Sequence, residues 1–324
     1  MRSKLFCLNP VKPMNTAEKA LTFWGLGGAT VILVAARENK VFCVYNDQHC
    51  YALRLHRKGY RTNSELLAEL DWMAMLDRAG LSVPTPIAGL DGSHLQIVDE
   101  VQVDVLTWLH GETLDAALPN MDQITRKTLF RQIGYDMARM HNAIDDWPQS
   151  VQCDRPAWNS EGLLGDQPLW DRFWENAALS TEQKTQFVEF REYAASKLTT
   201  IAPTLDYGLI HADLVPTNIM VSTDTLHFID FDDGGFGFRL FEVATALLKH
   251  SAASDYNALS EALIDGYKSL RPLDVKHLPF FLVLRAATYV GWNISRSAED
   301  PTGKRNNRFV VQTEDLIRDY MATL

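Results

Sequence analysis

Three polar residues between Ile210 and Asp233 are spaced as a phosphoryl-transfer centre needs them. Asp213 stands two residues after His211, Asn218 five residues after Asp213, and Asp230 beyond a short apolar hairpin. A carboxylate that accepts a hydroxyl proton, followed five positions later by an amide that holds a divalent cation, is the order in which phosphoryl-transfer loops supply these parts. Asp230 adds a second metal ligand and Asp232 a third, with Asp233 contributing further negative charge. Magnesium takes oxygen ligands and keeps part of its water, so a carboxylate, an amide and nucleotide phosphates make a sufficient site. The chemistry asks one carboxylate to take the proton, so His211 is expected to brace the loop rather than titrate.

The flanking residues must hold these groups in place. Ile219 to Val221 and His227 to Ile229 alternate as two short strands, with turn residues at 222–225 between them. Upstream, strands are expected at Ala29 to Ala35, Val41 to Tyr45 and Tyr51 to Leu55, then at His94 to Val98 and Val101 to Leu106, enough for one antiparallel sheet. The polar turn at 36–40 can lay backbone N–H groups over phosphates. Gly25, Gly27 and Gly28 are read as a turn, because no strand precedes them as a phosphate-binding fingerprint requires. Arg54 ends the third strand, where kinases carry a phosphate-holding Lys; guanidinium is planar and bidentate where ammonium is compact. A helix follows, capped at Thr62 or Asn63, with Leu66, Leu70, Met73 and Leu76 on one face and Gly80 as its stop.

The second half reads as mostly helical. Ile124, Ile133, Met137 and Met140 set a long amphipathic helix from Asp122 to His141, and His141 is read as structural. Residues 145–171 lack a period but hold Trp147, Trp158 and Trp170, too aromatic for disorder, which makes Trp170 a candidate for acceptor recognition. Gly234 to Arg239 is read as a flexible run that reverses the chain before a helix opening at Phe241. Further helices are expected at Thr181 to Thr199, Ser254 to Leu270 and Leu278 to Arg296. On the last of these Arg285, Trp292 and Arg296 share roughly one face, so Arg285 and Trp292 join the acceptor-side candidates.

The wording His-Ala-Asp at 211–213 and Ile-Asp-Phe-Asp-Asp at 229–233 resembles the aminoglycoside phosphotransferase and choline kinase family, where His-Gly-Asp and Ile-Asp-Phe-Gly-Asp are usual. Asp232 in place of Gly resembles the stress-response kinase branch, and the chain is also similar to the type II homoserine kinases. The resemblance implies an α+β, bilobal, protein-kinase-like fold: a small antiparallel-sheet lobe with one main helix over residues 1–108, and a larger, mostly helical lobe over 109–324. It implies ATP and Mg2+, with Asp213 catalytic and Asn218, Asp230 and Asp232 at the metal. It further implies that Arg37 and Asn39, in a Glu-Asn-containing loop, cover the nucleotide, that Glu69 pairs with Arg54, and that Glu242, at a position where Asp is common, anchors the catalytic loop.

Composition narrows the partners. The chain has 324 residues, 46% hydrophobic and 22% charged, with a net charge of −10, which excludes the basic footprint of a nucleic-acid or anionic-membrane binder. No run reaches the length of a transmembrane span, and residues 1–7 lack the apolar core of a signal peptide, so a cytoplasmic location is expected. The four cysteines, Cys7, Cys43, Cys50 and Cys153, show no metal spacing and read as reduced thiols, with a Cys43–Cys50 pairing left open. The expected activity is ATP-dependent phosphorylation of a hydroxyl on a small metabolite: an amino alcohol, hydroxy amino acid, sugar or aminoglycoside. Its rivals are a Ser/Thr protein kinase of the stress-response type and a catalytically inactive nucleotide-binding scaffold.

Overall fold

The computed structural model describes residues 15–36, 39–46, 49–223 and 225–324. In chain order the elements begin with α1 (Asn15–Thr22), β1 (Thr30–Ala36), β2 (Lys40–Tyr45), β3 (Cys50–Leu55), α2 (Asn63–Arg78), β4 (Leu95–Val98) and β5 (Val101–Thr107). They continue through β6 (Glu112–Thr113), α3 (Leu114–Ala117), α4 (Gln123–Asp145), β7 (Ala157–Trp158), α5 (Ser160–Leu164), α6 (Thr181–Ile201), β8 (Tyr207–Ile210) and β9 (Ile219–Val221). The chain closes with β10 (Leu226–Phe228), β11 (Gly235–Phe238), α7 (Arg239–Leu248), α8 (Tyr256–Lys268), α9 (Leu278–Trp292) and α10 (Lys304–Met321). This is the expected α+β architecture, and it divides into two compact units.

The first unit runs to Gly111 and includes 151–154 and 222–229. Its five strands form an antiparallel sheet in the order β1-β2-β3-β5-β4. Val44, Leu53, Val103 and Val105, none of them solvent-exposed, form its core with Ala20 and Leu21 of α1. The register sets Arg54 of β3 directly opposite Asp104 of β5, a cross-strand neighbour close enough to pair. A capping box starts α2: the Thr62 hydroxyl accepts from Glu65 N–H at 3.1 Å, and the Glu65 carboxylate accepts from Thr62 N–H at 2.8 Å. Gly80, at φ +79°, ends it in the left-handed conformation that glycine tolerates best. Leu66, Leu70, Met73 and Leu76 are all buried, as the helical period requires. Cys43 and Cys50 are free thiols with their Sγ atoms 2.7 Å apart.

The second unit comprises Glu112–Ser150, Arg155–Val221 and Asp230–Leu324. Asp122 caps α4 by accepting from Thr125 N–H at 2.7 Å, and the helix runs on to Asp145, beyond the expected end. Ile133, Met137 and Met140 are buried, but Ile124, in the first turn, is 78% exposed. Helix α10 was not among the expected elements, although Phe309, Val310, Thr313 and Ile317 bury at helical spacing. The glycine-rich run after Asp233 is a strand, not a flexible reversal. Strand β11 pairs antiparallel with β8, Gly235 opposite Ile210, and parallel with β7. Its glycines serve close packing: a Cβ at Gly235 would lie 2.2 Å from the Pro156 carbonyl oxygen, and one at Gly237 would lie 2.4 Å from Ile210 Cδ1.

Candidate functional site

The β8–β11 pairing positions the chemistry. Because β8 runs into His211 and β11 follows Asp233, pairing Ile210 with Gly235 sets the loop 211–218 beside the acidic loop 230–234. Ala212 occupies the left-handed region at φ +62°, which explains the Gly usual in the resembling motif, and Asp230 does the same at φ +67°. Buried Glu242 on α7 holds the turn. Its Oε2 accepts from the backbone N–H of His211 at 2.5 Å and of Ala212 at 3.3 Å. Burial pushes the Glu242 pKa up from 4.5 to about 7, opposed by those two N–H groups and by Arg239 and Arg285. Behind it His141, also buried, pairs through Nδ1 with the Tyr267 hydroxyl at 2.8 Å and has Nε2 3.9 Å from Glu242. Burial first, then Arg239 and Arg271, drive its pKa well down, so this histidine is neutral scaffolding.

Asp213 is gripped at both oxygens. Oδ1 accepts from Arg285 Nη2 at 2.6 Å and Oδ2 from Asn218 Nδ2 at 2.9 Å, while the same amide nitrogen also reaches the Asp213 carbonyl at 2.9 Å. The five-residue spacing explains the second contact, since the 3₁₀ turn at Pro216–Asn218 folds the amide back over the loop. His211 braces from the other side, its Nδ1 accepting from Asp213 N–H at 3.4 Å and its ring 4.5 Å from that of Phe231. Burial raises the Asp213 pKa from 3.8 to about 7; Asp233 adds to the rise, and Arg285 and Lys249 oppose it. With 21% of its side chain open, the carboxylate remains accessible to a reacting group.

The acidic loop is held by Arg155, which no sequence feature marked, and by two tryptophans of the irregular segment. Arg155 is buried and donates to three carbonyls of that loop: Nε to Gly234 at 2.7 Å, and Nη2 to Phe231 at 2.9 Å and Asp232 at 2.5 Å. Trp158 donates its indole N–H to the Asp233 carbonyl at 2.9 Å, and Trp170 donates to Asp233 Oδ1 at 3.4 Å. The irregular Trp-rich segment therefore clasps the acidic loop. Arg155 sits in a stretch without a period, and its acceptors lie 76 to 79 positions away, so no local pattern marks it. Asp230 is exposed and Asp232 is 6% exposed. Asn218 spends its amide nitrogen on Asp213, which leaves the carbonyl oxygen, the donor a hard cation takes from an amide. Among the described residues no cluster of three His, Cys, Asp or Glu side chains forms a metal site by itself.

Of the aromatic candidates, Trp170 connects to Asp213 through the Arg285 guanidinium, and Trp292 packs against Trp170. Trp170 packs at 5.3 Å from Trp158, 5.7 Å from Tyr289 and 6.2 Å from Trp292. The guanidinium of Arg285 lies 4.4 Å from the Trp170 ring centroid and 4.5 Å from that of Tyr289, and that of Arg296 stacks 4.3 Å from Trp292.

In the first unit Arg54 donates through Nη1 to Glu69 Oε1 and through Nε and Nη2 to the two oxygens of Asp104, each at 2.8 Å. His56 Nε2 lies 2.7 Å from Asp104 Oδ2. All four side chains are nearly inaccessible. Burial opposes ionisation of Asp104, but the charges of Arg54 and His56 outweigh it and hold its pKa low. Asp104 was missed because a lone acid inside an apolar strand carries no spacing; only the register with Arg54 reveals it. Asn39 Oδ1 accepts from Arg57 N–H at 3.2 Å. Arg37 lies outside the described residues.

The model of the phosphotransferase enzyme family matches residues 30–273. A homoserine kinase of Paramagnetospirillum magneticum is 29% identical over 274 residues, 80% of this chain and 78% of its own. A microcompartment-associated aminopropanol kinase superposes with a TM-score of 0.82 at 26% identity, covering 95% of this chain and 97% of its own. An amicoumacin kinase shares the fold at a TM-score of 0.72 and 20% identity, covering 92% of each chain.

Proposed function

The chain belongs to the phosphotransferase enzyme family, and from that premise we propose that it transfers the γ-phosphoryl group of ATP to a hydroxyl of a small amine-bearing metabolite. The observation that carries this reading is Asp213, a partly open carboxylate fixed at both oxygens on a loop whose backbone is itself anchored by Glu242. A base held near neutral pKa is suited to take a hydroxyl proton late in transfer. Asn218, Asp230 and Asp232 would hold magnesium, which would supply charge neutralisation to the nucleotide phosphates. Arg54, its guanidinium fixed by Glu69 and Asp104, is assigned to the nucleotide side, with Arg37 and Asn39 as further proposed nucleotide contacts. Most of the rate comes from positioning and charge neutralisation, because a loose transition state leaves little covalent work for side chains.

An amino alcohol or hydroxy amino acid is the favoured acceptor. The aminopropanol and homoserine kinases that this chain is similar to act on hydroxyls with an amine nearby. The Asp233 carboxylate, which accepts from the Trp170 indole N–H, offers an anion for an ammonium group. The test is ATP consumption with Mg2+ against 1-amino-2-propanol, homoserine, sugars and aminoglycosides. Asp213→Ala is expected to abolish turnover while an ATP-induced thermal shift persists. Full activity in that variant would refute the assignment.

A further inference from the structure

Arg285 is buried completely, yet its surroundings do not satisfy it as an ordinary core arginine. Nη2 donates to Asp213 Oδ1 at 2.6 Å and to the Tyr289 hydroxyl at 3.0 Å. Among the described residues Nε and Nη1 have no hydrogen-bond partner. The guanidinium is enclosed instead by ring faces, with Trp170 and Tyr289 at 4.4 and 4.5 Å and Phe241 at 5.4 Å. Taking a guanidinium out of water is costly, and a buried ion pair is weak evidence for stability, since an apolar side chain of similar volume often serves the fold better. Such a cage would accept a methionine. What methionine would lack are the contacts to Asp213 and to the Tyr289 hydroxyl.

We infer that Arg285 is the positioning residue for the Asp213 carboxylate, setting its direction from one side while Asn218 fixes the other oxygen. The three rings keep water from competing for the cation, so its charge acts on Asp213 at full strength. Tyr289, one helical turn along α9, and Trp170, tied to the acidic loop through Asp233, prevent the guanidinium from rotating away. The long helix α9 thereby transmits its own rigid placement to the reacting group. This rests on the reading of Asp213 as proton acceptor, and the experiment separates the two.

Turnover is measured with ATP and Mg2+, using 1-amino-2-propanol, homoserine and water as acceptors, for the wild type, Asp213→Asn, Arg285→Met, Arg285→Lys and Tyr289→Phe. Loss of orientation is expected to lower kcat about 100-fold in Arg285→Met with KM for ATP unchanged, as a misplacement of about 1 Å does. Arg285→Lys is expected to recover part of kcat, and Tyr289→Phe to lose a smaller factor. Independently of any acceptor, the fall in Tm caused by Arg285→Met should shrink by at least half in an Asp213→Asn background, because the carboxylate it would strand is gone. If Asp213→Asn is inactive but Arg285→Met keeps wild-type kcat, the inference fails and the assignment of Asp213 stands. If Asp213→Asn stays active, both fail. Equal Tm shifts in the two backgrounds would also overturn the inference, even were Arg285→Met too unstable to assay for turnover.

Discussion

Replacing Glu242 by Gln should flatten the dependence of stability on pH, by an amount set by the burial of one carboxyl. Glu242 is fully buried and its pKa stands at about 7 against 4.5 for an exposed carboxyl. The folded state therefore keeps this proton through a range where the unfolded chain has lost it. Stability contributed here is present below about pH 4.5, falls as the pH rises from 4.5 to 7, and is lost above 7. A shift of that size corresponds to about 3 kcal/mol. Gln keeps an oxygen to accept the N–H groups of His211 and Ala212 but cannot ionise. Against this, its amide N–H₂ would take the place of Oε1, which has no hydrogen-bond partner among the described residues, at a cost of about 1–3 kcal/mol at every pH. Urea unfolding followed by tryptophan fluorescence at pH 4.5, 6 and 8 is the assay. The variant is expected to be the weaker protein at pH 4.5 and to draw level with or overtake the wild type by pH 8. A stability difference that stays constant across the three pH values would refute the buried-charge reasoning.

Other outcomes follow from the same geometry. Ala212→Gly should raise stability by about 1 kcal/mol in urea unfolding, because the residue sits at φ +62° where a Cβ is strained. Arg54→Lys restores the commoner kinase residue but cannot span both Asp104 and Glu69; a loss of about 3 kcal/mol and a weaker ATP-induced thermal shift are expected, checked by differential scanning fluorimetry. Arg155→Met removes three hydrogen bonds to the acidic loop; destabilisation of about 3 kcal/mol and a raised Mg2+ requirement for turnover would show that the clamp shapes the proposed metal side.

The local part of the site was legible because its groups lie close in sequence. The step from Asp213 to Asn218 spans one tight turn, so spacing alone places the amide against the carboxylate. Helix α2 was readable for a similar reason: its cap, its buried stripe and its terminating glycine are all local. The run 234–239 misled because glycine was read as freedom, whereas Gly235 and Gly237 make room for Pro156 and Ile210. The pattern of α10 is local as well: Phe309, Val310, Thr313 and Ile317 recur at helical spacing.

By itself the sequence marked the phosphoryl-transfer spacing, the five strands of the sheet and most of the long helices, since each follows from short-range spacing or periodicity, and the family resemblance set Glu69 against Arg54. Tertiary structure alone decided which distant residues complete that chemistry. Asp104 reaches Arg54 through strand register, and Arg155 and Trp158 reach the acidic loop through the β7–β11 pairing. Arg285 meets Asp213 across 72 positions. Such partners are chosen by packing, which brings charges together wherever a buried ion needs a counter-ion, and packing leaves no period in the chain.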